Sequence, residues 1–170
     1  IYNPIIKDEI VSANKVNDGH ISVYLPQYTI AYLTPFLHAQ AQFHFEVFTK
    51  EVTLVTNSQN ITFFPISNNA FTSSLIRCYG IITAGGFETP AEAMYLNKKL
   101  LSIPIVNHFE QECNAEAMKK LGIKVLKKLD QQFGEHFTHW INQDNSVKIS
   151  LTHSTNDIIE VLMNNAFKDA

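Results

Sequence analysis

The sequence has one tryptophan, two cysteines, six glycines and six prolines in 170 residues. Cys78 and Cys113 are too few for a disulfide framework, and both fall in stretches that read as regular α/β elements, so reduced thiols are expected. No run approaches the roughly 20 apolar residues that a membrane helix needs. No signal-peptide pattern opens the chain, and a cytoplasmic location is expected. Positive charge is not in excess either: 13 Lys and Arg against 16 Asp and Glu leave a net charge of −3. That argues against nucleic acid, or an anionic membrane, held by bulk electrostatics. There is no Asp-x-Asp pair to hold a divalent cation, and His136-x-x-His139 lacks a third ligand, so no metal and no other cofactor is expected. The sequon Asn60-Ile61-Thr62 opens an expected strand and is discounted. Repeats and low-complexity segments are absent.

What is present is an ordinary globular composition, 45% hydrophobic and 17% charged, in a chain long enough for one domain with a proper core. The first residue is Ile1 rather than methionine, as in a cut domain. Residues 1–18 mix charges with Asn, Pro and isolated aliphatics, and read as a linker arriving from an upstream domain; the domain itself is expected over 19–170. Strands are expected over 21–25, closed by Pro26, then over 43–48, 61–66, 80–83 and 100–105, with a further short strand or loop edge over 52–56. Helices are expected over 31–41, 70–77, 90–98, 112–121, 133–142 and 156–166, the fourth of them stopped by Gly122. One more short element is expected over 125–129. Strands alternating with helices predict an α/β fold, a Rossmann-like open parallel sheet with helices on both faces. Ligands in such folds bind at the carboxyl ends of the strands.

The stretch 81–115 concentrates the functional signal. A short apolar run, Gly80-Ile81-Ile82-Thr83, leads into Ala84-Gly85-Gly86, where missing side chains allow a sharp turn and a close approach. Thr89-Pro90 reads as a helix entry, a capping residue followed by proline at the first helical position. Free N–H groups and the positive end of the helix dipole at such a turn suit a phosphate. Glu92, in the expected first turn, is placed for ribose hydroxyls. Each residue also has a plainer reading. Gly85-Gly86 would serve tight strand-to-helix packing, Glu92 a helix-dipole contact, and Glu110-Gln111 a capping pair. His108 would be a rim residue, and His136 and His139 packed or solvated histidines.

The run Gly86-Phe87-Glu88-Thr89-Pro90-Ala91-Glu92, the segment Lys98…Ile103-Pro104, then Glu110-Gln111 and Asn114-Ala115, resembles the donor half of GT-B glycosyltransferases. The likeness is to the peptidoglycan N-acetylglucosaminyltransferase and the UDP-glycosyltransferases, and it is specific from Ile81 to Gly122. It implies binding of a nucleotide-sugar, UDP-linked by analogy, for sugar transfer to an acceptor hydroxyl. It further implies that the diphosphate meets Gly85, Gly86, Phe87, Glu88 and Thr89, and the ribose meets Glu92. The base would rest on Pro65, Ile66, Ser67 and Asn68, and the sugar on Glu110 and Gln111, with Asn114 in support. Two features depart from the pattern. Ala84 stands where many such enzymes carry His or Arg, leaving backbone amides for the diphosphate; and Gln27-Tyr28-Thr29 replaces a glycine-rich loop, keeping only a rim role.

In the resembled family the base that activates the acceptor comes from the other half of the body. No catalytic residue is therefore assigned, and the chain alone is expected to be inactive. An upstream acceptor-binding domain or subunit is the implied partner, and peripheral membrane association of the full-length enzyme is compatible with it. Two other readings stay open at this point. A UDP-N-acetylglucosamine 2-epimerase-like isomerase is disfavoured by Ala91 before Glu92 and by Phe109-Glu110-Gln111 in place of an arginine stretch. A non-catalytic donor-binding subunit needing a separate acceptor chain is the other.

Overall fold

The computed structural model describes residues 4–14, 16–143, 159–160 and 163–164. In chain order the elements are α1 (Asp8–Val11), β1 (Ile21–Tyr24), α2 (Ile30–His38), β2 (Phe45–Thr49), β3 (Thr56–Ser58), β4 (Ile61–Pro65), α3 (Asn68–Arg77), β5 (Gly80–Thr83), α4 (Glu88–Tyr95), β6 (Lys99–Ser102), α5 (Phe109–Lys120), β7 (Lys124–Val125) and α6 (Phe133–Asn142). The strands form one seven-stranded sheet in the order β3-β4-β2-β1-β5-β6-β7. All pairs are parallel except β3 with β4. The fold is thus the α/β, Rossmann-like open sheet that the alternation of elements predicts.

Both faces of the sheet are covered, which explains why β5 and β6 carry apolar residues on both faces rather than on one. Successive side chains point to opposite faces. Ile82 and Leu101 join Leu33 and Leu37 of α2 and Phe133, Phe137 and Trp140 of α6. Ile81 and Leu100 join Ile10 of α1, Leu75 of α3, Ala91 and Ala93 of α4, and Met118 of α5. The first face is the aromatic one: Phe137 meets Phe43, Phe45, Phe133 and Trp140 with ring centroids 5.3–5.8 Å apart.

Several boundaries differ from those read in the sequence. The strand expected over 52–56 lies instead at Thr56–Ser58, because Asn57 and Ser58 pair back onto β4 and the chain turns at Gln59, which takes φ 51°. Helix α4 begins at Glu88, two residues before Pro90, with Phe87 and not Thr89 as its N-cap. Pro90 is then the third helical residue, a position whose N–H has no intrahelical partner to lose. The same helix stops at Tyr95, and Asn97 takes φ 56°, a left-handed conformation that ends it before Lys98. Helix α5 starts at Phe109 rather than at 112, because the His108 side chain caps it by accepting from the Gln111 amide at 3.4 Å. Of the element expected over 125–129, only Val125 belongs to a strand.

Residues 1–18 are expected as a linker, yet the described part of that segment packs on the domain. Helix α1 lies in it, and Ile6 and Ile10 are buried in the second core. The helix expected over 156–166 falls largely outside the described residues.

The order of strands positions the site. From β1 the chain steps outward through β2 to β4, then returns to the other side of β1 and continues through β5, β6 and β7. The direction of winding therefore reverses between β1 and β5. In doubly wound sheets the crevice at the carboxyl ends of the two strands flanking such a reversal is where ligands bind.

Candidate functional site

Of the strands flanking the reversal, β5 delivers Ala84 to Phe87 at its carboxyl end and aims α4 at the crevice. The side chains of Thr29, Ser67 and His108 cap α2, α3 and α5, whereas α4 has no side-chain cap. The first amides of a helix lack intrahelical partners. Here they belong to Phe87, Glu88 and Thr89, since Pro90 has none to offer. Phe87 and Glu88 are exposed, and Gly86 and Thr89 are half-buried.

Gly85 does a different job. Its amide donates to Gln111 Oε1 at 3.0 Å, and its carbonyl accepts from Asn114 Nδ2 at 3.1 Å. A Cβ at this position would stand 2.8 Å from the Gln111 carbonyl oxygen and 3.0 Å from Pro104 Cβ. The turn after β5 is thus pressed against the turn after β6 and the start of α5, at a separation that only glycine permits. Gln111 Oε1 also accepts from the Ile105 amide at 2.9 Å. One amide oxygen therefore joins the two loops. Both backbone groups of Gly85 are engaged within the protein, and the residues of the turn with accessible surface are Gly86, Phe87, Glu88 and Thr89.

Glu110 is exposed in the first turn of α5, with Val106 (65% exposed) and Phe109 (81%) beside it in sequence. Pro65 ends β4, and Ile66, Ser67 and Asn68 lead from it into α3 at the same end of the sheet. The Ser67 side chain accepts from the Ala70 amide at 3.5 Å, and Ile66, Ser67 and Asn68 are exposed. Gln27, after β1, reaches over the end of β5: its Nε2 donates to the Ile103 carbonyl at 2.9 Å, while its Oε1 is buried without a hydrogen-bond partner. Tyr28 and Tyr32 stack and hold the loop after β7, the Tyr28 hydroxyl accepting from the Leu129 amide and the Tyr32 hydroxyl donating to its carbonyl.

Glu92 is the fifth residue of α4 rather than a first-turn residue, and it is buried at 3% exposure. Its Oε1 lies 3.1 Å from Lys7 Nζ. Burial pushes the Glu92 carboxyl above its ordinary value, and the Lys7 ammonium opposes that rise. Lys7 is the residue that the sequence did not reveal. A single lysine in a mixed polar segment carries no local signal, and only the packing of α1 brings it to α4. Among the described residues no group of three His, Cys, Asp or Glu side chains is placed to hold a metal ion. No helix of the described residues is long and apolar enough to cross a membrane.

An open, mostly parallel sheet wound in this way is the fold of one half of a GT-B glycosyltransferase body. The chain belongs to glycosyl transferase family 1, whose model matches residues 1–142. No curated protein sequence matches it. Solved structures with the same fold include the glycosyltransferase SnogD from Streptomyces nogalater, with a TM-score of 0.55 and 18% identity, over 86% of this chain and 40% of that one. MurG from Acinetobacter baumannii aligns with a TM-score of 0.63 and 15% identity, over 93% of this chain and 52% of that one. The glycosyltransferase VinC, solved in complex with dTDP, aligns with a TM-score of 0.60 and 16% identity over 94% and 44%. The chain therefore spans about half the length of these enzymes or less, and at such identities the likeness is one of fold.

Proposed function

We propose that this chain is the nucleotide-sugar donor-binding half of a glycosyltransferase, and that a sugar passes from a nucleoside diphosphate to an acceptor hydroxyl contributed with an upstream acceptor-binding domain or subunit. The observation that carries the reading is the uncapped start of α4 at the winding reversal, backed by a glycine that α5 holds in place. The amides of Gly86, Phe87, Glu88 and Thr89 take the diphosphate; Gly85 serves by shaping the turn. Glu92 takes the ribose, Pro65 to Asn68 the base, and Glu110 with the Gln111 Nε2 group the sugar. UDP is the favoured nucleotide by resemblance, a hexosyl or N-acetylhexosaminyl group the favoured cargo, and the cytoplasm the favoured compartment.

The chemistry follows from charge. As the bond to the anomeric carbon breaks, negative charge grows on the departing diphosphate. Oriented amides and a helix dipole stabilise that charge more strongly in the transition state than in the ground state, which is what accelerates the step. The base that deprotonates the acceptor is assigned to the partner domain, so the chain alone binds donor and turns nothing over.

Titration calorimetry of the chain with UDP and with thymidine diphosphate tests this. Binding of at least one is expected, with affinity unchanged when EDTA replaces magnesium. Absence of binding to both at concentrations of about 1 mM, where a complex of about −4 kcal/mol would be half formed, overturns the reading.

A further inference from the structure

The segment before β1, expected as a linker, enters the site through one side chain. Ile6 (3% exposed) and Ile10 (0%) fix it to the core on either side of Lys7. Pro4 shares an apolar hollow of about 230 Å³ with Gly86, Phe87 and Pro90, so the segment passes beside the turn where α4 begins. The Lys7 ammonium lies 3.1 Å from Glu92 Oε1, and its side chain is 51% exposed while that of Glu92 is 4% exposed. A half-exposed cation thus covers an otherwise buried carboxylate in the middle of α4. We propose that Lys7 is a positioning residue of the donor site, whose ammonium keeps the Glu92 carboxylate charged and oriented to accept the ribose hydroxyls of a nucleoside diphosphate. This rests on the reading of Glu92 as the ribose residue.

The reasoning is electrostatic. A charged carboxylate accepts from two hydroxyls and binds them about twice as strongly as a neutral acceptor does; a protonated one gives up part of that capacity. Burial disfavours the charged form. The other charged groups facing Glu92, Glu88 on its own helix and Glu9 on α1, push in the same direction as burial. Among these described groups Lys7 supplies the opposing charge, and an ammonium keeps further donors beyond the contact to Oε1. A bridge serving only the fold would leave the pH dependence of ligand affinity unchanged when broken. A bridge that keeps Glu92 charged would not.

The full chain is titrated with UDP, and separately with thymidine diphosphate, at about pH 6 and about pH 8, where the acidic end probes a carboxyl already raised from its usual range. Affinities of the variants are expressed relative to the unmodified chain, which removes the titration of the nucleotide's own phosphate. Lys7→Met keeps the aliphatic stem, Lys7→Gln gives a second uncharged head, and Lys7→Arg keeps the charge. The expected result is that both uncharged variants bind within about threefold of the parent at the higher pH and lose about fivefold or more at the lower one, while Lys7→Arg follows the parent. A ratio that does not change with pH overturns the proposal. Glu92→Gln separates the two levels. About tenfold weaker binding at both pH values supports the ribose role; parent-like binding removes that role and this proposal with it. Weakened Glu92→Gln beside pH-independent Lys7 variants removes the proposal alone.

Discussion

Gln111 and Gly85 are joined twice: the Gln111 side-chain oxygen accepts from the Gly85 amide at 3.0 Å, and the Gln111 backbone oxygen would lie 2.8 Å from any Cβ at position 85. The first contact fixes the turn after β5, and the second forbids a side chain in it. Because the same Gln111 Oε1 also holds the Ile105 amide, the loop proposed for the diphosphate and the loop proposed for the sugar are tied through one side chain. Pre-set geometry of this kind lowers the ordering cost of binding.

Gly85→Ala is therefore expected to displace one loop from the other. Overpacking of this sort costs about 1–3 kcal/mol, and the chain should stay folded with a lower melting temperature. Nucleoside diphosphate affinity should fall about tenfold, because the amides of Gly86 and Phe87 follow directly from the displaced residue. Gly86→Ala, where a Cβ would meet nothing within 4 Å, should leave the fold intact. Calorimetry with UDP beside a thermal melt checks both, and equal affinities for Gly85→Ala and the parent would contradict the brace.

Glu110 and Gln111 should separate cleanly in their effects. Glu110 is exposed and makes no hydrogen bond to the loops among the described residues, so Glu110→Ala is expected to leave UDP affinity unchanged and to weaken the cognate nucleotide-sugar several-fold. Gln111→Ala removes both the brace and the Nε2 donor, and should weaken UDP and nucleotide-sugar together. Gln111→Glu keeps two acceptor oxygens for the Gly85 and Ile105 amides while losing the donor, and should recover loop order without sugar affinity. Parallel titrations with UDP and UDP-sugars give the comparison. Loss of UDP affinity in Glu110→Ala would remove its sugar role.

At the opposite end of the sheet, His20 is buried, with its Nε2 3.1 Å from Ser74 Oγ and 3.3 Å from Glu46 Oε2. Burial lowers its pKa from the ordinary 6.5, and this outweighs the opposing pull of Glu46; the nearby Arg77 adds to the lowering. The unfolded chain then binds a proton more readily than the folded one. Stability contributed by the neutral imidazole is complete above pH 6.5 and is lost as pH falls through the folded value. Urea titrations from neutral to mildly acidic pH should show this loss in the parent chain and a flatter profile in His20→Gln. An unchanged profile would mean that other groups control acid stability.

The sequence by itself determined the class of fold. Runs such as Gly80-Ile81-Ile82-Thr83 and Lys99-Leu100-Leu101-Ser102 are apolar on both faces, and strand-to-helix alternation leaves a covered parallel sheet as the way to bury them. The glycine turn and its following helix were legible for the same reason: backbone requirements write themselves into residue type locally. Boundaries were less so. Thr89-Pro90 resembles a helix entry, but α4 begins earlier because proline is tolerated anywhere in the first turn. Asn57-Ser58 resembles turn material, but it pairs with β4 because the ladder satisfies its backbone. Only the tertiary structure decided which side chains serve the protein's own loops. Gln111 can read a hydroxyl or hold two amides, and distance to Gly85 and Ile105 selects the latter for its oxygen. Lys7 and Glu92 lie far apart in sequence, in a mixed polar segment and in a helix. Burial of Ile6 and Ile10 brings them together, because hydrophobic contact between distant segments has no local signature in the chain.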